Sequence, residues 1–276
     1  MMDISSRASN NKFKFPKIMA IINTTSDSFS DGGDYDSSDK ALNYAKYIID
    51  NNLADILDIG GESTRSGAES ISIDEEIKRT IPLLEAIRNY NSKIIISIDT
   101  TKYEVAKKAA EAGVNIINDI SGLTADLRIG ELAATHNLEY VIMHKKGTPK
   151  DMQNNPNYDD VVAECFNFLQ NQIELAKTMG INKIYSDVGI GFGKTYEHNV
   201  ELLRNLSYFN KLEVPMLLGI SRKTFIGKML NIESPKERDL ATLLIHAILL
   251  KENIEIIRLH KVEEFKTLKK IYEEIG

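Results

Sequence analysis

A chain of 276 residues, 42% hydrophobic and 27% charged, has the balance of a globular domain and enough apolar side chain to bury a sizeable core. Its formal charge of -6 argues against a general nucleic-acid binder, which would be basic, yet leaves room for an anionic ligand held by a local cluster of cations. The single cysteine, Cys165, excludes an intramolecular disulfide and an all-cysteine metal cage, and no apolar run of about 18 residues could cross a membrane, so a reduced, cytoplasmic location is expected.

Residues 1–16 are polar, carry Arg7, Lys12 and Lys14 without the apolar stretch of a secretory signal, and read as a flexible arm ahead of one domain over residues 17–276. From there short apolar runs rich in β-branched residues alternate with longer amphipathic stretches. A strand is expected over 18–22 and a helix over 38–51, then a strand over 54–59 and a helix over 74–89. Strands over 94–98, 115–117 and 140–143 are followed by helices over 102–112, 127–136 and 158–179. The last strands are expected over 183–186, 215–218 and 254–259, with a helix over 236–251. Runs that are apolar almost throughout suit strands buried on both faces. Strict alternation calls for parallel strands with right-handed crossovers, and about eight such units make an α/β fold, a single (β/α)8 TIM barrel, a better fit than an open doubly wound sheet with its fewer strands.

Two long loops with glycines follow the first two strands. Residues 24–36 include Asp31-Gly32-Gly33, and residues 61–73 include Ser63-Thr64-Arg65-Ser66-Gly67. Loops of this length inside a compact domain are often mobile lids. In a barrel the site forms where strands end, and the polar residues there are Asn23, Asp58, Asp99, Asn118, His144, Asp187, Ser221, Arg258 and His260. They divide into an acidic half (Asp58, Asp99, Asn118, Asp187), suited to an amidine-like ring edge, and a basic half (Arg65, Lys223, Arg258, His260), suited to phosphate.

Gly189-Ile190-Gly191-Phe192-Gly193-Lys194-Thr195 looks like a phosphate-binding loop but has Val188 where that motif needs its first glycine, so it reads as a βα loop needing backbone freedom. His136, His198 and His246 read as structural, Cys165 as a packing residue on a helix, and nothing has the spacing of a zinc site.

The strand-end segments resemble those of a known family. Asn23-Thr24-Thr25-Ser26-Asp27-Ser28-Phe29-Ser30-Asp31-Gly32-Gly33 and Asp58-Ile59-Gly60-Gly61-Glu62-Ser63-Thr64-Arg65 resemble the two signatures of the dihydropteroate synthases. Ser97-Ile98-Asp99-Thr100, Asn118-Asp119-Ile120, Met143-His144 with Met152-Gln153, Asp187 with the glycine-rich segment, Gly219 with Ser221-Arg222-Lys223, and Arg258 with His260 follow in order to about residue 262. The resemblance implies a pterin-binding barrel that joins a pterin pyrophosphate to p-aminobenzoate in folate synthesis. Asp99, Asn118, Asp187 and Lys223 would hold the pterin, in a slot lined by Asp58, Met143, Phe192 and Gly219. Asn23, Thr64, Arg65, Arg258 and His260 would take the pyrophosphate, with Asn23 also touching Mg²⁺, the implied cofactor. Phe29, Ser66, Lys223 and Thr224 would border the p-aminobenzoate pocket. The implied catalytic set is Asp31 of the first loop with Arg65, Asp99, Lys223, Arg258 and His260. A homodimer with no nucleic-acid or membrane partner is implied, as is competitive inhibition by sulfonamides.

The chain departs from the family pattern at Thr24-Thr25-Ser26 (Val-Thr-Pro in the family), at Ser66 and Val188 (both Pro) and at Lys261 (Asp). Lost prolines loosen the backbone, and Ser66 is expected to weaken sulfonamide inhibition relative to a Ser66→Pro variant. Two other readings share the barrel. A methyltetrahydrofolate–corrinoid methyltransferase has the pterin slot without the pyrophosphate set; a degenerate paralogue binds pterin without turnover. An arylamine is a weak nucleophile, so leaving-group departure should lead, along a dissociative, SN1-like path.

Overall fold

The computed structural model describes residues 14–24, 34–63, 67–148 and 150–275. Eight parallel strands close into a barrel in chain order: β1 (Lys17–Asn23), β2 (Ile56–Gly60), β3 (Ile95–Asp99), β4 (Ile116–Asp119), β5 (Glu139–Met143), β6 (Ile184–Asp187), β7 (Met216–Leu218) and β8 (Ile254–Leu259). The wall of helices is α1 (Asp34–Asp50), α2 (Ile73–Tyr90), α3 (Tyr103–Glu111), α4 (Arg128–Thr135), α5 (Val161–Thr178), α6 (Tyr196–Arg204), α7 (Thr224–Leu230), α8 (Asp239–Leu249) and α9 (Glu263–Ile275).

All eight expected strands form, with ends within two residues of expectation. The helix boundaries shift for local reasons. Asp160 caps α5, its Oδ1 accepting from the backbone N–H of Val162 (3.0 Å) and Ala163 (2.9 Å), so the helix starts three residues later than the apolar pattern suggests. A 3₁₀ turn, Pro235–Arg238, precedes α8 and takes the residues expected to open that helix. α1 begins at Asp34, so the first loop is shorter than the predicted 24–36. Three further helices, α6, α7 and α9, of 9, 7 and 13 residues, complete the alternation beyond the stretches given ranges in the sequence. Of the predicted arm, residues 1–13 lie outside the described residues, while Phe15 is buried with its ring 5.8 Å from that of Tyr272 on α9.

The core has two compartments, as strands covered on both faces require. One lies between barrel and helices. The other fills the barrel itself with Met19, Ile56, Ile116, Val141, Tyr185, Leu217 and Ile256. Side chains alternate along a strand, so this inner set fixes what points inward two residues further on. Those positions are Ile21 and Asn23 on β1, Asp58 on β2, Asp99 on β3, Asn118 on β4, Met143 on β5, Asp187 on β6, Gly219 just past β7, and Arg258 on β8. The apolar plug therefore ends in a polar layer at the C-terminal mouth.

Candidate active site

Register brings the polar layer together. Asn23 pairs with Gly60, Gly60 with Asp99 and Asp99 with Asn118, so residues from four strands lie at one height, while on the neighbouring strands β5 and β6 Met143 pairs with Asp187. Asp58 sits one step deeper, level with Ile21 and Ser97. A cavity of about 590 Å³ opens above them, and Asn23, Asp99, Phe192, Gly219, Lys223, Thr224, Arg258 and His260 all line it. Asp58, Asn118, Met143 and Asp187 are buried beneath that wall, none more than 5% exposed. Phe29, Asp31, Thr64, Arg65 and Ser66 lie outside the described residues.

The expected acidic and basic halves are not separate. Arg258 stands among the acids, its Nε donating to Asp58 Oδ2 (2.6 Å) and its Nη2 to Asp99 Oδ2 (2.7 Å). Asn118 Nδ2 also donates to Asp58 Oδ2, at 3.1 Å. Asp58 Oδ1 is buried with no hydrogen-bond partner among the described residues. A buried ion is costly unless paired, and the pairing seen here leaves acceptor capacity open to a ligand.

Burial sets the protonation states. Desolvation pushes the Asp99 carboxyl up to about 7; Arg258 opposes the shift and Asp58 adds to it. Desolvation likewise raises Asp187, against the pull of Lys223 and of the Gly189 N–H, which donates to Asp187 Oδ1 at 2.7 Å. The same loss of water pushes Lys223 down to about 7, with Asp187 resisting. For Arg258 the desolvation cost is outweighed by Asp58 and Asp99, which hold it charged. An acid and a base that both titrate near neutrality across one cavity are a signature of a working site.

The loop after β6 presents Lys223 and Phe192. Its glycines alternate because its backbone does: Gly189, Gly191 and Gly193 have φ of 65°, 84° and 63°, and a Cβ on Gly189 would lie 1.8 Å from the carbonyl oxygen of His144. Lys223 Nζ donates to the Ile190 carbonyl and lies 4.6 Å from the Phe192 ring centroid, a cation–π contact. After β7, Arg222 adopts a left-handed φ of 60°, held by a two-point ion pair with Asp239 (2.6 and 2.7 Å) and by Arg238, which donates to its carbonyl at 3.0 Å. That bend delivers Lys223 and Thr224 to the cavity. His260 is oriented by Ser221, whose Oγ lies 3.0 Å from His260 Nδ1 and accepts from its backbone N–H at 3.1 Å.

His144, grouped with the mouth on sequence position, points the other way. It follows an inward residue, so alternation turns it outward, where its Nδ1 lies 2.9 Å from Lys194 Nζ and 3.2 Å from Cys165 Sγ. Cys165 is a buried packing residue, as expected. His198 caps α6, its Nδ1 accepting from the Thr195 N–H at 3.2 Å, and His246 is buried with its Nδ1 2.8 Å from the Thr242 carbonyl oxygen. Several wall residues carried no role on sequence grounds. Gln153 and Arg222 lay inside matched segments, and Glu62 directly followed the second strand's glycines, which was the available signal. Glu62 is gripped by Lys102, which also donates to Glu76 (2.6 Å) and to the Ile71 carbonyl (2.9 Å), so one cation ties the two ends of the loop after β2. Among the described residues no three acidic, His or Cys side chains form a metal cage, and no helix is long and apolar enough to cross a membrane.

A closed parallel barrel whose mouth combines buried carboxylates, an amide and cations defines an α/β-barrel enzyme for a polar ring bearing an anionic tail. The chain matches the family described as pterin binding enzyme over residues 19–260. It is 44% identical to the dihydropteroate synthase of Synechocystis over 256 residues, 92% of this chain and 88% of the relative. The Yersinia pestis dihydropteroate synthase, solved as a sulfonamide drug complex, superposes with a TM-score of 0.87 at 38% identity, over 99% of this chain and 98% of that one. The Xanthomonas albilineans enzyme, solved with 4-aminobenzoic acid, gives a TM-score of 0.88 at 35% identity over 95% and 94% of the two chains. The chain belongs to the pterin binding enzymes and, within them, to the dihydropteroate synthases, which are transferases.

Proposed function

We propose that this barrel mouth condenses 6-hydroxymethyl-7,8-dihydropterin pyrophosphate with p-aminobenzoate to give 7,8-dihydropteroate and pyrophosphate. The observation that carries the reading is the junction of Arg258 with Asp58 and Asp99 on the floor of one cavity, beside Lys223 and Asp187. Arg258 presents to those carboxylates the planar N–H edge that a 2-aminopyrimidinone ring also presents. The heterocycle takes over the carboxylates, and the guanidinium it replaces becomes available to the diphosphate. Asp99, Asn118 and Asp187 then grip the ring, with Asp58 and Met143 beneath and Phe192 and Gly219 beside it. Arg258 and His260, joined by Thr64 and Arg65 of the second loop, stabilise charge as it gathers on the departing pyrophosphate.

Carboxylates beside the ring stabilise the cation-like pterin methylene more than the neutral substrate, which is the condition for a rate gain and favours a dissociative path. Phe29, Asp31 and Ser66 of the two loops, with Lys223 and Thr224, would complete the amine pocket and exclude water. Mg²⁺ is proposed beside Asn23. Gly60 has no side chain, and a Cβ there would lie 3.4 Å from Asn23 Oδ1 and 3.9 Å from Asp99 Oδ2, so this corner stays open to a phosphate-borne cation. Asn23 would give it one oxygen, with phosphate and water supplying the rest, and the ion would neutralise pyrophosphate charge.

A homodimer is proposed on α8, where Leu240, Leu244 and Ile248 form an apolar stripe at helical spacing and are 66%, 55% and 69% exposed. Sulfonamides are proposed as competitive inhibitors by analogy with the Yersinia pestis complex, and a cytoplasmic location fits the single buried thiol. An assay of dihydropteroate formation, with and without Mg²⁺, tests the function. Pterin binding without product would identify a non-catalytic paralogue, and methyl transfer from methyltetrahydrofolate would identify the corrinoid-linked alternative.

A further inference from the structure

Lys194 is 2% exposed, yet its partners in hydrogen bonding are all neutral. Its Nζ donates to the carbonyls of Gly189 (2.9 Å) and Phe192 (3.1 Å), approaches the His144 carbonyl at 3.3 Å, and lies 2.9 Å from His144 Nδ1. Burial and the nearby Lys194 charge push His144 down to about 2, so its imidazole is neutral and Nδ1 can accept. An ammonium is expensive to bury, and a methionine of similar length would fill the space at no electrostatic cost. Retaining the charge needs a reason beyond packing.

The reason lies in the loop after β6. Five consecutive carbonyls, from Gly189 to Gly193, each accept a hydrogen bond from a side chain. Gly189 and Phe192 are taken by Lys194, Ile190 by Lys223, Gly191 by Gln153 at 2.7 Å, and Gly193 by Tyr158 at 2.8 Å. On the donor side, the N–H of Gly189 goes to Asp187 and that of Gly191 to Asn199 Oδ1 at 2.6 Å. The loop is thus an irregular backbone with its polar groups answered from outside, and Lys194 supplies two of the five carbonyl contacts. It also binds the loop to the end of β5 through His144. The same backbone holds the Lys223 ammonium and the Phe192 ring in the cavity.

We propose that Lys194 is a positioning residue for pterin recognition, its buried ammonium fixing the loop after β6 so that the Ile190 carbonyl and the Phe192 ring hold Lys223 against the substrate. This rests on the reading of the cavity as a pterin pyrophosphate site. Lys194 borders the cavity but is 2% exposed, and its ammonium is spent on the carbonyls of the loop rather than offered to a ligand. Removing its charge should loosen residues 189–193 and spoil ring binding while leaving the chemistry of the bound complex largely intact.

The test is Lys194→Met in the full chain, with Tyr158→Phe as a milder second variant that removes one donor from the same loop. Hydrogen exchange is followed across the chain, and steady-state kinetics are measured with 6-hydroxymethyl-7,8-dihydropterin pyrophosphate and p-aminobenzoate. In Lys194→Met the amides of residues 189–193 are expected to exchange at least tenfold faster while the β1–β4 strands stay within twofold. KM for the pterin pyrophosphate should rise about tenfold or more, with kcat changed less than threefold; Tyr158→Phe should show the same split at smaller size. Unchanged exchange in the loop, a loss of protection throughout the barrel, failure of Lys194→Met to fold, or a fall in kcat with KM unmoved would each overturn the proposal. The exchange arm needs no turnover, so wild-type chain that failed to form dihydropteroate would count against the substrate reading alone.

Discussion

At the scale of single residues, the site is a balance between burial and pairing. Asp58 is fully buried and its charge is answered by Arg258 and Asn118. Asp58→Ala removes one of the two carboxylates that hold the Arg258 guanidinium, and breaking a buried pair from one side costs about 3–5 kcal/mol. Arg258 keeps Asp99, so a loss near 3 kcal/mol in urea unfolding is expected, with Asp58→Asn milder. Activity responds to the same groups through protonation. The carboxylate of Asp99 must be charged to meet the ring's N–H groups and the Lys223 ammonium must keep its proton, yet burial brings both to about 7. As pH falls below 7, Asp99 takes up a proton and the acid limb drops; as pH rises above 7, Lys223 loses its proton and the alkaline limb drops. The plot of kcat/KM against pH is therefore expected to be a narrow bell centred near neutrality. Arginine does not titrate in this range, so Lys223→Arg, although slower, should lose the alkaline limb and keep the acid one. An alkaline limb that survives in Lys223→Arg would assign it to another group.

At the scale of elements, what was legible in the sequence was what alternation controls. Eight apolar runs gave eight strands, and counting by twos from the barrel's inner residues leads to Asp58, Asp99, Asn118, Asp187 and Arg258. The same count turns His144 away from the mouth, which a list of strand-end polar residues had overlooked. What could not be read was side-chain direction within the mouth. Arg258 belongs with cations by charge, yet geometry places it between two acids, because its reach from β8 ends there. The glycine-rich loop was read as needing backbone freedom, and its φ values show why. The sequence could not show that five carbonyls would find side-chain donors from separate segments. Gly189 and Gly191 should differ on substitution. Gly189→Ala brings a Cβ to 1.8 Å from a backbone oxygen, which nothing flexible can relieve, whereas Gly191→Ala meets the movable Lys223 stem at 3.2 Å. Gly189→Ala should melt well below wild type, or fail to fold. Gly191→Ala should lose about 1–3 kcal/mol from its φ and raise KM for the pterin. Equal melting temperatures for the two variants would contradict this loop geometry. The homodimer proposed on α8 predicts that a single charge, Leu244→Glu, gives a monomer where wild type is a dimer by light scattering, with the barrel still folded, since Leu244 is exposed on its own chain.

For the whole molecule, the buried groups act on stability together, and their signs differ. His144 and His246 are held neutral, pushed by burial to about 2 and about 4 from their usual 6.5. The unfolded chain binds protons at these positions below pH 6.5 and the folded chain does not, so stability is lost as pH falls through that range. At pH 5 each histidine has cost about 2 kcal/mol by linkage. Asp99 works in reverse. Its folded pKa is raised to about 7, so between pH 7 and the usual carboxylate value the fold binds the extra proton and gains, by about 2 kcal/mol at pH 5. Asp187 is raised by burial as well and adds to that gain, so the net loss between pH 7 and pH 5 is smaller than the two histidines alone would give. His246 lies between α8 and the barrel, against the Phe265 ring and away from the cavity, so it can be replaced without touching the site. In His246→Phe the unfolding free energy, measured by urea titration at both pH values, should lose about 2 kcal/mol less on acidification than wild type does, because the cost of charging His246 in the unfolded chain is gone. A wild-type loss that persisted undiminished in this variant would show that other groups govern the acid response. If the loss grew in Asp99→Asn, which abolishes the opposing term, the carboxyl at the mouth would be identified as the group that keeps the barrel folded in mild acid while silencing its own site.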